Sequence, residues 1–173
     1  SARRIADDER AARLRGLLGV LPRAAVMTRE TSLRHESVRT DLGEPGQTDL
    51  LAFVQAARAG GVALGVVERV RAEAYGILAA RAAHAIELLP SQGARATALD
   101  RIETDLRWAA RLKAELVRSH LPLLVRTLEG AIGRPLEEVR PAALNGLVSQ
   151  AIAALSEAVD VFEPAKGGRL AGP

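Results

Sequence analysis

The residues best suited to hold a metal or move a proton are the histidines His35, His84 and His120, and their spacing argues against both roles. None has a second histidine or a carboxylate placed to share a metal on one helix face. The nearest approach, His84 with Glu87 three residues on, is half a site. Carboxylate-bridged di-iron bundles need Glu-x-x-His on two helices plus two further glutamates, and here histidine precedes glutamate. These histidines read as structural, with no metal and no cofactor expected.

The acidic groups fall at Asp7-Asp8-Glu9, Glu73 and Glu87, Glu103 and Asp105, and Glu137-Glu138. A general acid/base pair needs a desolvated pocket that drives two pKa values apart. These carboxylates instead alternate with arginines at the spacing of ordinary helix-surface ion pairs. The glycine pairs Gly60-Gly61 and Gly167-Gly168 lack the fixed spacing of a phosphate-cradling loop, and neither GxxxxGK[ST] nor GxGxxG occurs. No serine sits in a nucleophile elbow. No catalytic residue is expected, and the chain reads as a non-enzyme.

The elements that carry these residues are helices. Of 173 residues, 48% are hydrophobic, and that content is Ala, Leu and Val with only 2% aromatics. Alanine and leucine favour helices, while β-branched and aromatic residues favour strands. Alanine faces also let helices approach closely. The expectation is an all-α, compact multi-helix bundle with two long helices. Cysteine is absent, so disulfides and thiolate metal sites are excluded. No continuous apolar run approaches the ~20 residues of a bilayer span, and no signal-peptide pattern opens the sequence. No membrane contact and a cytoplasmic location are expected. The net charge is +3, with arginine and acid interspersed, so DNA contact is expected to be weak or absent.

Along the chain, Ile5–Val20 reads as a first helix, with Asp7-Asp8-Glu9 in its first turn. Residues 1–27 form an N-terminal helical piece, 28–47 a flexible linker, 48–166 the helical bundle and 167–173 a disordered tail. Thr48-Asp49 caps a short helix, Leu50–Ala59, which Gly60-Gly61 stops. A long helix spans Val62–Leu89, with Val67, Val70, Ala74, Ile77 and Leu78 as its apolar stripe and Glu68, Arg69, Arg71 and Glu73 on its other faces. From Thr97 a second long helix carries Leu99, Ile102, Leu106, Ala109, Leu112 and Leu116 on one face. Pro122 kinks it, and Gly130, Gly133 and Pro135 break it. Pro141 opens a last helix through Phe162.

The end of that last helix carries a sharper signal. Ala158-Val159-Asp160-Val161-Phe162-Glu163-Pro164-Ala165-Lys166-Gly167 resembles the A-V-D-x-F-D-P-x-K-G pattern in the second domain of bacterial sigma-70 factors. Leu147 through Leu155 falls where that family has a leucine-rich helix. Lys113 through Val125 resembles the helix before it, which reads roughly L-[IV]-x-x-N-L-R-L-V-V. The resemblance covers about residues 100–170 and implies a sigma-70 domain-two-like C-terminal half. It assigns Ala158, Val159, Asp160, Phe162, Pro164, Lys166 and Gly167 a structural role, with Phe162 as a core anchor. The helix end should pack on the Leu116–Val125 helix.

The same resemblance implies a partner, the RNA polymerase core, gripped at the clamp helices of its large subunit. The implied contact residues are Asn145, Leu147, Ser149, Gln150, Ala153 and Glu157. The family's polymerase-gripping helix opens with D-L-[IV]-Q-[EA]-G, and Gly146 and Ser149 replace its acid and its glutamine here. His120 and Pro122 replace an asparagine and an arginine of the preceding helix. No aromatic-rich, promoter-melting helix follows within the sequence. The resemblance therefore implies a transcription-initiation domain that binds polymerase without melting a promoter. The alternative is a helical protein–protein interaction module, or a sigma mimic that binds a sigma-binding regulator and does not act on DNA.

Overall fold

The computed structural model describes residues 2–18, 21, 50–61 and 65–162. Among these, five α-helices pack as a bundle and no strand occurs: α1 (Ala2–Gly16), α2 (Leu50–Ala59), α3 (Gly65–Glu87), α4 (Ala96–Ile132) and α5 (Pro141–Val161). A single turn of 3₁₀ helix, Leu136–Glu138, links α4 to α5. The expected linker 28–47, the cap Thr48-Asp49 and the tail 167–173 lie outside the described residues.

The 37-residue α4 is the spine. Its inner line Leu99, Ile102, Ala109 and Leu116 is buried, with Leu106 and Leu112 half-buried. Pro122 is buried inside it, and the helix runs on past Pro122 and Gly130 to end at Gly133. Proline cannot donate to the carbonyl one turn back, yet the flanking turns stay helical. Gly133 stops the helix with φ +70°, a left-handed value, and its N–H donates to the Glu129 carbonyl at 2.9 Å. Pro135 and the fully buried Leu136 then turn the chain into α5, whose first turn accommodates Pro141 because that position needs no N–H.

α3 lies along α4 with an inner face of Glu68, Ala72, Tyr75, Ala79, Ala82, Ala83 and Ile86. This corrects the expected stripe. Val67, Val70 and Ile77 are exposed, and Ala74 and Leu78 are half-buried. Small alanines, not the bulky β-branched residues, face α4, because close helix approach needs little side-chain volume. Glu68, expected on an outer face, is one of the most buried residues of the chain.

α1 begins three residues earlier than expected and ends at Gly16, after which Leu17 and Leu18 tighten into i→i−3 hydrogen bonds. Its acids consequently sit in mid-helix and not in the first turn. Asp8 accepts the Gly93 N–H at 2.9 Å, and Asp7 pairs with Arg10. Arg10 also donates to Glu103 at 3.0 Å and Asp100 at 2.7 Å, which fastens α1 to the start of α4. Ala11 and Leu14 pack with Ala82, Ile86, Ala94, Leu99 and Ile102 as a second, smaller core.

Candidate docking surface

α5 is the element on which the resemblance-implied contact residues lie. Its inner line is Leu144, Val148, Ile152, Ser156 and Val159, all buried. Opposite, Ala143, Gly146, Gln150, Ala154, Glu157 and Val161 recur at spacings of three and four and are all exposed. That outward line is apolar and small-sided apart from Gln150 and Glu157. By length and composition α5 is also apolar enough to cross a membrane, with a mean hydropathy of 1.3 and 28% of the span buried. The continuous apolar runs within it remain short, because Asn145, Ser149, Gln150, Ser156, Glu157 and Asp160 interrupt them.

The six implied contact residues do not share one surface. Gln150 and Glu157 stand together on the outward line. Asn145 is exposed but lies well over a quarter-turn round the first turn of the helix from them. Leu147, Ser149 and Ala153 are half-buried, and Leu147 packs against the main core.

The helix-end residues have a defined environment. Val159 and Asp160 are buried, Ala158 is half-buried, and Phe162 packs half-buried against the main core as the residue that caps α5. Phe162 is thus a partial and not a full core anchor. Pro164, Lys166 and Gly167 lie outside the described residues. Asp160, 0% exposed, accepts two hydrogen bonds from other helices. Lys113 Nζ of α4, 1% exposed, donates to Oδ2 at 2.7 Å, and Tyr75 OH of α3 donates to Oδ1 at 2.6 Å. The Lys113 ammonium lies 5.9 Å from the centre of the Tyr75 ring, within cation–π range. One buried carboxylate thereby ties α3, α4 and α5 together.

A second buried pair lies nearby. His120 Nδ1 is 2.8 Å from the Leu116 carbonyl, and Nε2 is 3.2 Å from Glu68 Oε2. A carbonyl only accepts, so Nδ1 carries a proton and donates. Both side chains are fully buried, and the pair joins α3 to α4 just before Pro122. His120 and Glu68 belong to the core and not to a surface. Ser156 Oγ, on the inner line of α5, has no hydrogen-bond partner among the described residues.

Two further features hold the α4–α5 turn. Arg58 at the end of α2 donates to Glu137 Oε1 at 2.5 Å and also contacts Glu129. Glu129 accepts the Leu136 N–H at 3.1 Å. The Arg58 guanidinium holds the Glu137 carboxyl below the usual carboxylate range. No group of histidine, cysteine and carboxylate able to hold a metal occurs among the described residues.

Sequence spacing alone pointed to none of these buried pairs. Lys113 and Asp160 are 47 residues apart, and Glu68 and His120 are 52 apart. The available signal was a charged residue at an inward helical position. Lys113 follows Leu112 and Ala109 on the inner side of α4, and Asp160 follows Val159. No family model, curated protein or solved structure matches this chain.

Proposed function

We propose that this chain is a divergent sigma-70-like domain that binds the RNA polymerase core at the clamp helices of its large subunit. Its contact is the outward face of α5 around Gln150 and Glu157, both exposed. One observation carries the reading. The two segments on which the resemblance rests, 113–125 and 158–162, meet in the interior through Lys113 and Asp160. Asp160, the acid of the helix-end pattern, thus holds α5 against α4, which leaves the opposite line of α5 exposed to a partner. A single Gln and a single Glu on an otherwise small apolar line suit docking against a helical partner.

A second reading is favoured by the same line. Gly146 and Ser149 stand where the family's gripping motif has an acid and a glutamine. A sigma mimic that binds a regulator, or a helical protein–protein interaction module, would keep the shape of α5 without those groups. Co-elution and light scattering of the full chain with bacterial core polymerase separate the two. The polymerase reading expects a saturable complex that Gln150→Arg and Glu157→Arg weaken at unchanged helix content. Absence of a complex at tens of micromolar would refute it and direct the search to regulators.

A further inference from the structure

The outer line of α3 is an exposed apolar feature. Val66, Val70, Ile77 and, one residue past the helix end, Leu88 are 68%, 58%, 63% and 70% exposed. Glu73, Arg81 and His84 fall on the same line and are also exposed. All lie within about 80° of one another around the helix axis, at 100° per residue. The spacing of three and four from Val66 through Val70, Glu73, Ile77, Arg81 and His84 is that of a helix-pairing seam.

The order of charges along this seam is self-complementary. If a second copy of α3 is laid antiparallel with the two-fold axis at Ile77, residue i meets residue 154 minus i. Ile77 then meets Ile77, Val66 meets Leu88, Val70 meets His84, and Glu73 meets Arg81 twice. Glu73 has no hydrogen bond or ion pair within the described structure. Arg81 holds Asp105 of α4 through Nε and Nη2, which leaves Nη1 open to a second carboxylate. A parallel pairing would instead set Glu73 against Glu73.

We infer that α3 is the interface of an antiparallel two-fold homodimer of this chain, centred on Ile77. The seam from Val66 to Leu88 is about 33 Å long at 1.5 Å per residue. At the ~10–12 Å diameter of a helix with its side chains it offers on the order of 350 Å² per copy, the size of a weak, reversible contact. Apolar pairs at Ile77 and at Val66 with Leu88 alternate along it with the Glu73–Arg81 charge pairs. Tyr75, which reaches Asp160 of α5, projects from the opposite side of α3. Pairing through α3 therefore leaves the outward line of α5 accessible. This inference does not depend on what α5 binds.

The absence of cysteine makes the test direct. Sedimentation equilibrium of the full chain should give a dimer that dissociates on dilution. Ile77→Glu should yield a monomer with unchanged far-UV circular dichroism. Glu73→Arg, which sets two arginines face to face at each end, should weaken dimerisation about fivefold to tenfold, as the loss of two rim ion pairs predicts. Under mild oxidation Ile77→Cys should cross-link to itself. Val66→Cys should cross-link only when mixed with Leu88→Cys. A monomer at the highest attainable concentration would overturn the inference. So would a dimer indifferent to Ile77→Glu, or one in which Val66→Cys cross-links to itself.

Discussion

Replacing Lys113 by Met keeps the length of the side chain and removes its charge. Two unit charges 2.7 Å apart attract by about 6 kcal/mol at an effective dielectric constant of 20. Taking each ion out of water costs several kcal/mol, so the pair as a whole contributes little net stability. One-sided removal is different, because Asp160 would stay at 0% exposure with the Tyr75 hydroxyl but without the ammonium. Breaking a buried pair in this way costs about 3–5 kcal/mol, and Asp160→Asn should cost a similar amount by stranding the ammonium. For a chain of this size each kcal/mol is worth about 2–4 °C in Tm, so each single variant should melt roughly 6–20 °C lower. The double variant Lys113→Met/Asp160→Asn buries no net charge and retains an acceptor for Tyr75. It should be less destabilised than the sum of the singles by at least about 2 kcal/mol. Urea denaturation of all four proteins completes the cycle. Additive losses, or a Lys113→Met variant within about 1 kcal/mol of wild type, would refute a buried ion pair at this position.

Two further outcomes are expected. The Glu137 carboxyl is held below its ordinary value of 4.5 by the Arg58 hydrogen bond. A depressed carboxylate contributes stability that is present above its unfolded pKa and lost as pH falls through the folded one. Acid titration of the urea midpoint should therefore fall less steeply below pH 4.5 in Glu137→Gln than in wild type, and identical slopes would remove Arg58 from the account. Phe162 is half-buried against the main core. Phe162→Ala should thus cost roughly 2 kcal/mol, about half of the full-burial penalty, and lower Tm by about 4–8 °C. An unchanged Tm would show that the end of α5 is not packed on the core.

Local signals in the sequence marked several element boundaries correctly. Gly60-Gly61 ends α2 at Ala59, Pro141 opens α5, and the three-and-four spacing from Leu99 to Leu116 runs down the inner side of α4. Each is a property of a few neighbouring residues: backbone freedom at glycine, a fixed φ at proline, the pitch of a single helix. The same local reading placed the apolar stripe of α3 on the wrong side, because it weighed valine and isoleucine above alanine. Helical periodicity shows that a face exists. It does not show which neighbour the face meets.

That choice belongs to the tertiary structure. Ala72, Ala79, Ala82 and Ala83 face inward because α4 approaches closely there, and Val66, Val70 and Ile77 are left outside. The carboxylate of Asp160 and the ammonium of Lys113 are separated by 47 residues in the sequence. Folding brings them to 2.7 Å, and only that proximity makes burial of either charge tolerable. Composition and helical pitch determined that the protein is built of helices and where several of them begin and end. Long-range contact alone decided which faces are core, which charges are buried and which apolar lines remain open to a partner, since burial is a property of the packed assembly of helices and not of any one of them.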